Sequence, residues 1–94
     1  MDLSTEDDGV RGSLVLTEKG HRIGVLTYEH GADRVVTADH TWVDDAHRGR
    51  GIAGKLALAL VDWARAERFT IVPACSYVAT WLESHPEHAA LRAR

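Results

Sequence analysis

Between Gly12 and Val43 apolar and polar residues alternate in three short runs, whereas after Gly51 the apolar residues recur at steps of three and four. The first period belongs to strands and the second to a helix. Ser13-Leu14-Val15-Leu16-Thr17 makes the first strand, which ends at Glu18-Lys19-Gly20-His21, a hairpin turn whose Gly20 takes a positive φ. Arg22 to Glu29 is the second strand, His30-Gly31-Ala32-Asp33 the second turn, and Arg34 to Val43 the third strand. The three form an antiparallel meander.

Ile52, Leu56, Ala59, Leu60 and Trp63 then fall on one face of a helix directed at the sheet, with Lys55, Asp62 and Arg65 largely on the other side. The helix is expected to end near Glu67-Arg68, because Phe69-Thr70-Ile71-Val72 is strand-like and Pro73 stops that strand. Strand, crossover helix and strand make one right-handed unit. Past Pro73, Ser76 is expected to cap a second helix running to about Leu82 or Ser84, with Tyr77, Val78 and Trp81 on its buried side. Pro86 opens a last short helical piece from Glu87 to about Leu91.

With 94 residues the chain has room for one small domain and a modest core, which Trp42, Trp63 and Trp81 are expected to anchor. Residues 1–9, carrying Asp2, Glu6, Asp7 and Asp8, lack an apolar period and are expected to be an acidic flexible tail, leaving 10–94 as the folded domain. Fourteen acidic against eleven basic side chains leave a net charge of -3, without the general attraction to nucleic acid of a basic domain, so no nucleic-acid partner is expected. The lone Cys75 excludes an internal disulfide, and no segment has the apolar run of a signal peptide or membrane span. A reducing cytoplasm and no membrane partner are the expectation.

The run Arg48-Gly49-Arg50-Gly51-Ile52-Ala53-Gly54-Lys55 opens the helix. A helix start leaves four N–H groups without intrahelical partners and carries about half a positive charge, which a pyrophosphate can satisfy. The same residues fit three motifs: G-x-G-x-x-G of a dinucleotide fold, G-x-x-x-x-G-K of a P-loop, and R-x-x-G-x-A. A P-loop needs Ser or Thr after the lysine to ligate magnesium, and Leu56 stands there. A dinucleotide fold has its glycines after the first strand and further βα units beyond. Here three strand-like segments precede the loop and little chain follows.

A plain Gly-rich turn has no use for two arginines beside three glycines, and glycine in a helix costs up to about 1 kcal/mol relative to alanine. Arg50 and Lys55 are read as phosphate contacts, although an exposed helix face would use the same residues. His47 beside Asp44 and Asp45 has metal-ligand chemistry, but no second ligand cluster has suitable spacing, so no metal is expected.

The order of elements and the glycine loop together resemble the GNAT acetyltransferase superfamily. The resemblance lies in Val43-Asp44-Asp45-Ala46-His47-Arg48-Gly49-Arg50-Gly51-Ile52-Ala53, a strand end followed by the [Q/R]-x-x-G-x-[G/A] loop. It is strongest for the small single-domain members, whose His-Thr pair and P-x-C-S-Y element are matched by His40-Thr41 and by Pro73-Ala74-Cys75-Ser76-Tyr77. Trp81-Leu82-Glu83-Ser84-His85-Pro86-Glu87 is similar to their C-terminal end, so the likeness covers about Gly12 to Glu87.

The resemblance implies an α+β fold of the GNAT kind, an α/β three-layer arrangement, with acetyl-CoA as co-substrate. Arg48, Gly49, Arg50, Gly51, Ile52, Ala53, Gly54 and Lys55 would hold the pyrophosphate, and Thr41, Trp42 and Val43 would lie beside the pantetheine arm. The implied chemistry is transfer of an acetyl group from a thioester to an amine. It requires a deprotonated amine, a polarised carbonyl and a proton for the leaving thiolate.

Tyr77 and Cys75 are the candidates for that proton. A cysteine at a helix N-terminus also has the option of carrying the acyl group itself, while the plain alternative for both residues is core packing. His40 is the candidate general base and Glu29 the weaker one. Alternation puts His40 and Trp42 on one face of the strand and Thr41 and Val43 on the other, so only one pair faces the core. Larger GNAT enzymes have a helical region after their first strand that this chain lacks, which leaves the acceptor site open to a protein amine or a small molecule. A non-catalytic coenzyme A or acyl-CoA binding module would use the same loop, and a structural partner-binding domain with a vestigial loop is the third reading. A monomer or weak dimer is expected.

Overall fold

The computed structural model describes residues 1–93. Five strands make one sheet in the order β1-β2-β3-β4-β5: β1 Asp2–Asp7, β2 Arg11–Glu18, β3 His21–His30, β4 Val35–Val43 and β5 Thr70–Pro73. The first four run antiparallel and β5 is parallel to β4, reached through helix α1, Ile52–Glu67. Helix α2 spans Ser76–Glu83, and 3-10 turns occupy Asp45–His47 and Pro86–Leu91. The α+β class and the strand, helix, strand unit stand.

The sheet buries one face. Leu14, Leu16, Leu26, Tyr28, Val36, Ala38 and Ile71 meet Ile52, Leu56, Leu60, Val61 and Ala64 of α1 and Val78 and Leu82 of α2 in one cluster. Val15 is the buried residue that points the other way, and Val72 on that back face is 38% exposed. Both helices therefore pack into the same core cluster against the sheet. Gly24 lets α1 sit directly on β3: a Cβ there would stand 2.6 Å from Cγ2 of Ile52 and 3.0 Å from Cδ1 of Leu56.

The expected tail is a strand. Asp2 to Asp7 pairs with β2 from Thr17 to Gly12, although none of the six residues is buried. Strand pairing uses backbone groups, so the absence of an apolar period does not prevent it. Asp7 fastens its end by accepting hydrogen bonds from the Tyr28 hydroxyl at 2.6 Å and the Gly9 amide at 2.8 Å, with Nε2 of His30 also at 2.8 Å. Tyr28 reaches Asp7 because its ring lies over Gly12, where a Cβ would be 2.3 Å from ring atoms.

Two core expectations change. Trp42 is 42% exposed on the back face, while Trp63 packs at the core's edge against Tyr28 and Phe69, ring centroids 4.5 and 5.0 Å away. Tyr77 is 37% exposed, and Trp81 is half-buried and stacked on His85. Cys75, not Ser76, is the N-cap of α2, because its extended backbone sends its N–H to the Ala38 carbonyl at 2.9 Å.

Candidate functional site

β4 outruns its neighbour. Its pairing with β5 ends at Ala38 opposite Pro73, so residues 39–43 have no strand on that side. A bulge falls at the same place: Tyr28 faces Ala38 but Thr27 faces His40, leaving Asp39 as an extra residue. One inserted residue reverses the alternation beyond it. Thr41 and Val43 thereby continue the buried face of Val36 and Ala38, and His40 and Trp42 go to the back.

After Val43 the chain turns sharply. The Asp44 amide donates to the Ile23 carbonyl at 2.9 Å, and the His47 amide donates to the Asp44 carbonyl at 2.9 Å. His47 Nδ1 lies 2.8 Å from the Asp44 carboxylate, and Arg48 pairs with Asp45 at 3.1 Å. Gly49 and Gly51 then adopt φ of 82° and 74°. A Cβ at either would meet nothing within 4 Å, so these glycines answer to backbone conformation and not to crowding.

Gly51 is the N-cap of α1 and brings no side-chain cap, and the first turn contains no acidic residue. The first backbone bond of the helix runs from the Lys55 amide to the Gly51 carbonyl at 3.1 Å. Among the described residues no acceptor meets the amides of Gly49, Arg50, Gly51, Ile52, Ala53 or Gly54. These six donors and the positive end of the helix are left for a ligand.

They open on a cleft of about 320 Å³. β4 contributes Thr41 and Val43, the loop His47, Arg48, Gly49 and Gly51, α1 its residues Ile52, Ala53 and Gly54, and α2 contributes Tyr77. Behind Thr41 lies Cys75, half-buried, its Sγ 3.5 Å from the Thr41 hydroxyl. Burial pushes the thiol up, but the Thr41 hydroxyl and the backbone amides of Val78 and Tyr77 outweigh it and hold the thiol below its ordinary range. Burial raises the Tyr77 phenol, which keeps its proton. The cleft thus brings unpaired loop amides and a protonated phenol together, with the Cys75 thiol outside its lining, behind Thr41.

Not every expected residue joins them. His40 and Trp42 lie on the back face, and so does Glu29, which pairs with Arg11 at 3.1 Å. Arg50 flanks the loop in a 3.4 Å ion pair with Glu18, and Lys55 is exposed on α1 outside the cleft lining. The sequence had offered His47 only as a metal ligand, yet it lines the cleft. Its place directly before Arg48 was the available signal. Among the described residues no group of three or more His, Cys, Asp or Glu is arranged to hold a metal, and no helix is long and apolar enough to cross a membrane.

A family profile described as GCN5-related N-acetyl-transferase matches residues 13–91. Protein NATD1 of Homo sapiens is 39% identical over 85 residues, covering 89% of this chain and 75% of its own length. The solution structure of a GCN5-like protein from Staphylococcus aureus superposes with a TM-score of 0.69 at 24% identity, over 97% of this chain and 88% of that one. The aminoglycoside acetyltransferase AAC(6')-Iy, solved with a bisubstrate analogue of coenzyme A and acetylneamine, aligns at a TM-score of 0.59 and 21% identity, over 92% and 64%. With its sequence and its sheet in agreement, the chain belongs to the GCN5-related N-acetyltransferase (GNAT) family.

Proposed function

We propose that the protein transfers an acetyl group from acetyl-CoA to an amine. The observation that carries this reading is the set of uncommitted amides from Gly49 to Gly54, at the edge of an open cleft that reaches Thr41 of β4 and Tyr77 of α2, with Cys75 behind Thr41. Six N–H donors, a helix N-terminus and the Arg48 guanidinium suit a pyrophosphate, and Thr41 and Val43 offer an apolar-lined track for a narrow chain such as pantetheine. The coenzyme A analogue held by AAC(6')-Iy supports the same ligand here.

When bound, acetyl-CoA supplies the thioester whose carbonyl carbon an amine attacks. Loop amides and Arg48 hold the diphosphate, and the unpaired side of β4 beyond Ala38 offers backbone donors to the carbonyl oxygen. As the carbon–sulfur bond breaks, Tyr77 gives its phenolic proton to the departing sulfur and recovers one that the amine releases. Cys75 has a second option, since its acidified thiol is suited to take the acyl group first and pass it on. The acceptor is an amine of a small molecule or of a protein, reaching the sulfur over the uncovered side of the splayed strand.

One observation favours the non-catalytic alternative, a coenzyme A binding module: His40, the expected general base, lies on the far face of β4. Calorimetry with coenzyme A and acetyl-CoA, followed by thiol release across an amine panel, separates the two. Binding with amine-dependent release supports the transferase. Binding with no release from any amine supports the module, and no binding at all removes both.

A further inference from the structure

The extra residue in β4 is held from behind. Asp39 accepts a hydrogen bond from the Thr27 hydroxyl at 2.5 Å and an ion pair from Arg11 at 2.8 Å, and Arg11 is itself braced by Glu29. In front, the two residues that flank the bulge on the cleft side meet one cysteine: the Ala38 carbonyl takes the Cys75 N–H at 2.9 Å, and the Thr41 Oγ1 lies 3.5 Å from its Sγ. Were Asp39 to pair regularly instead of bulging out, the side chain in this place would be His40.

We infer that Thr41 is a positioning residue whose hydroxyl donates to the Cys75 sulfur and holds it at the start of α2, with the clamped Asp39 bulge setting the register that brings the two together. A hydroxyl donor satisfies a thiolate far better than a thiol, so the contact selects the charged form as well as the rotamer. The amides of Tyr77 and Val78 act on the sulfur from its own helix in the same sense. The other titratable groups around it are few: Tyr77 on α2 keeps its proton, Asp39 and His40 of β4 face away, α1 brings only uncharged Ile52, Ala53 and Gly54 to the cleft, and His47 and Arg48 stand in the loop before it. The catalytic meaning of this contact rests on the acetyl-transfer reading, but the contact itself does not.

Cys75 is the sole cysteine, so alkylation by iodoacetamide reports on it alone. The rate is measured on the full chain across the neutral and alkaline range for wild type, Thr41→Val and Thr41→Ser. Thr41→Val is expected to slow alkylation about three- to tenfold at neutral pH and to move the profile to higher pH, while Thr41→Ser stays within about twofold of wild type. Thr41→Ala makes the same comparison if the valine variant does not fold. A valine or alanine profile that superposes on wild type, or a serine variant that behaves like valine, overturns the inference. Alkylation needs no coenzyme A. A shifted profile in a protein that binds no coenzyme A would keep the inference and remove the transferase, and an active transferase with an unshifted profile would do the reverse.

Discussion

Replacing Gly51 by glutamate tests the anion cradle while leaving the rest of the fold in place. Gly51 has φ 74°, so any side chain costs about 1–2 kcal/mol in that left-handed conformation. A Cβ there meets nothing within 4 Å, so crowding adds no further cost, and Gly51→Ala measures the conformational part by itself. Glutamate adds a charge at the helix N-terminus, which in the free protein is worth about 0.3–1 kcal/mol of stability. Toward a bound diphosphate the same charge is repulsive. Near the mouth of an open cleft the interaction is close to its value in water, about 1 kcal/mol per pair of charges at 4 Å, hence about 2 kcal/mol for two phosphate charges. That predicts roughly a 30-fold weaker coenzyme A affinity for Gly51→Glu than for Gly51→Ala, and at least tenfold. Isothermal titration at low salt reads the ratio directly, and raising the salt to about 1 M should shrink it as the Debye length falls to about 3 Å. If both variants fold and bind coenzyme A within twofold of each other, the diphosphate does not sit on these amides.

Tyr77→Phe should lower the rate of amine-dependent thiol release about a hundredfold while leaving coenzyme A affinity within about twofold, and equal losses in both would move Tyr77 from proton donor to mere wall. Gly24→Ala places a Cβ 2.6 Å from Ile52 and should cost about 1–3 kcal/mol in urea unfolding, since Ile52 and Leu56 are both fully buried and have no room to retreat. Burial opposes the charge on Asp7, but hydrogen bonds from Tyr28, the Gly9 amide and His30 outweigh it and hold the carboxyl below its ordinary range. A depressed carboxylate contributes stability that is complete above its unfolded pKa of about 3.9 and is lost as pH falls through the lower folded value. Asp7→Asn should therefore be less stable at neutral pH and lose less on acidification, and parallel acid-unfolding curves for the two proteins would refute this.

The loop was legible because its information is local. Consecutive glycines and arginines ahead of an apolar helical period describe a helix start with bare amides whatever surrounds it, and Gly49 and Gly51 do take the positive φ that such a turn asks for. The hairpin at Lys19-Gly20 and the end of α1 near Arg68 were readable for the same reason, the first closing with Glu18 opposite His21. β1 escaped notice because it sends no apolar side chain into the core. It is held by backbone pairing and by Asp7, whose partners Tyr28 and His30 are more than twenty positions away in the chain.

Strand alternation read from the sequence offered two pairs and no way to choose between them. The choice was made by Asp39, which becomes an extra residue only when Thr27 and Arg11 of two other strands grip its carboxylate. That contact sent His40 and Trp42 to the back and brought Thr41 toward Cys75. The chain's own order of residues thus determined the elements after β1 and a helix start with bare amides, all set by forces reaching three or four positions along the backbone. Which side chains share the cleft was decided by the tertiary structure, because a single inserted residue reverses every face beyond it and only neighbouring strands hold it there.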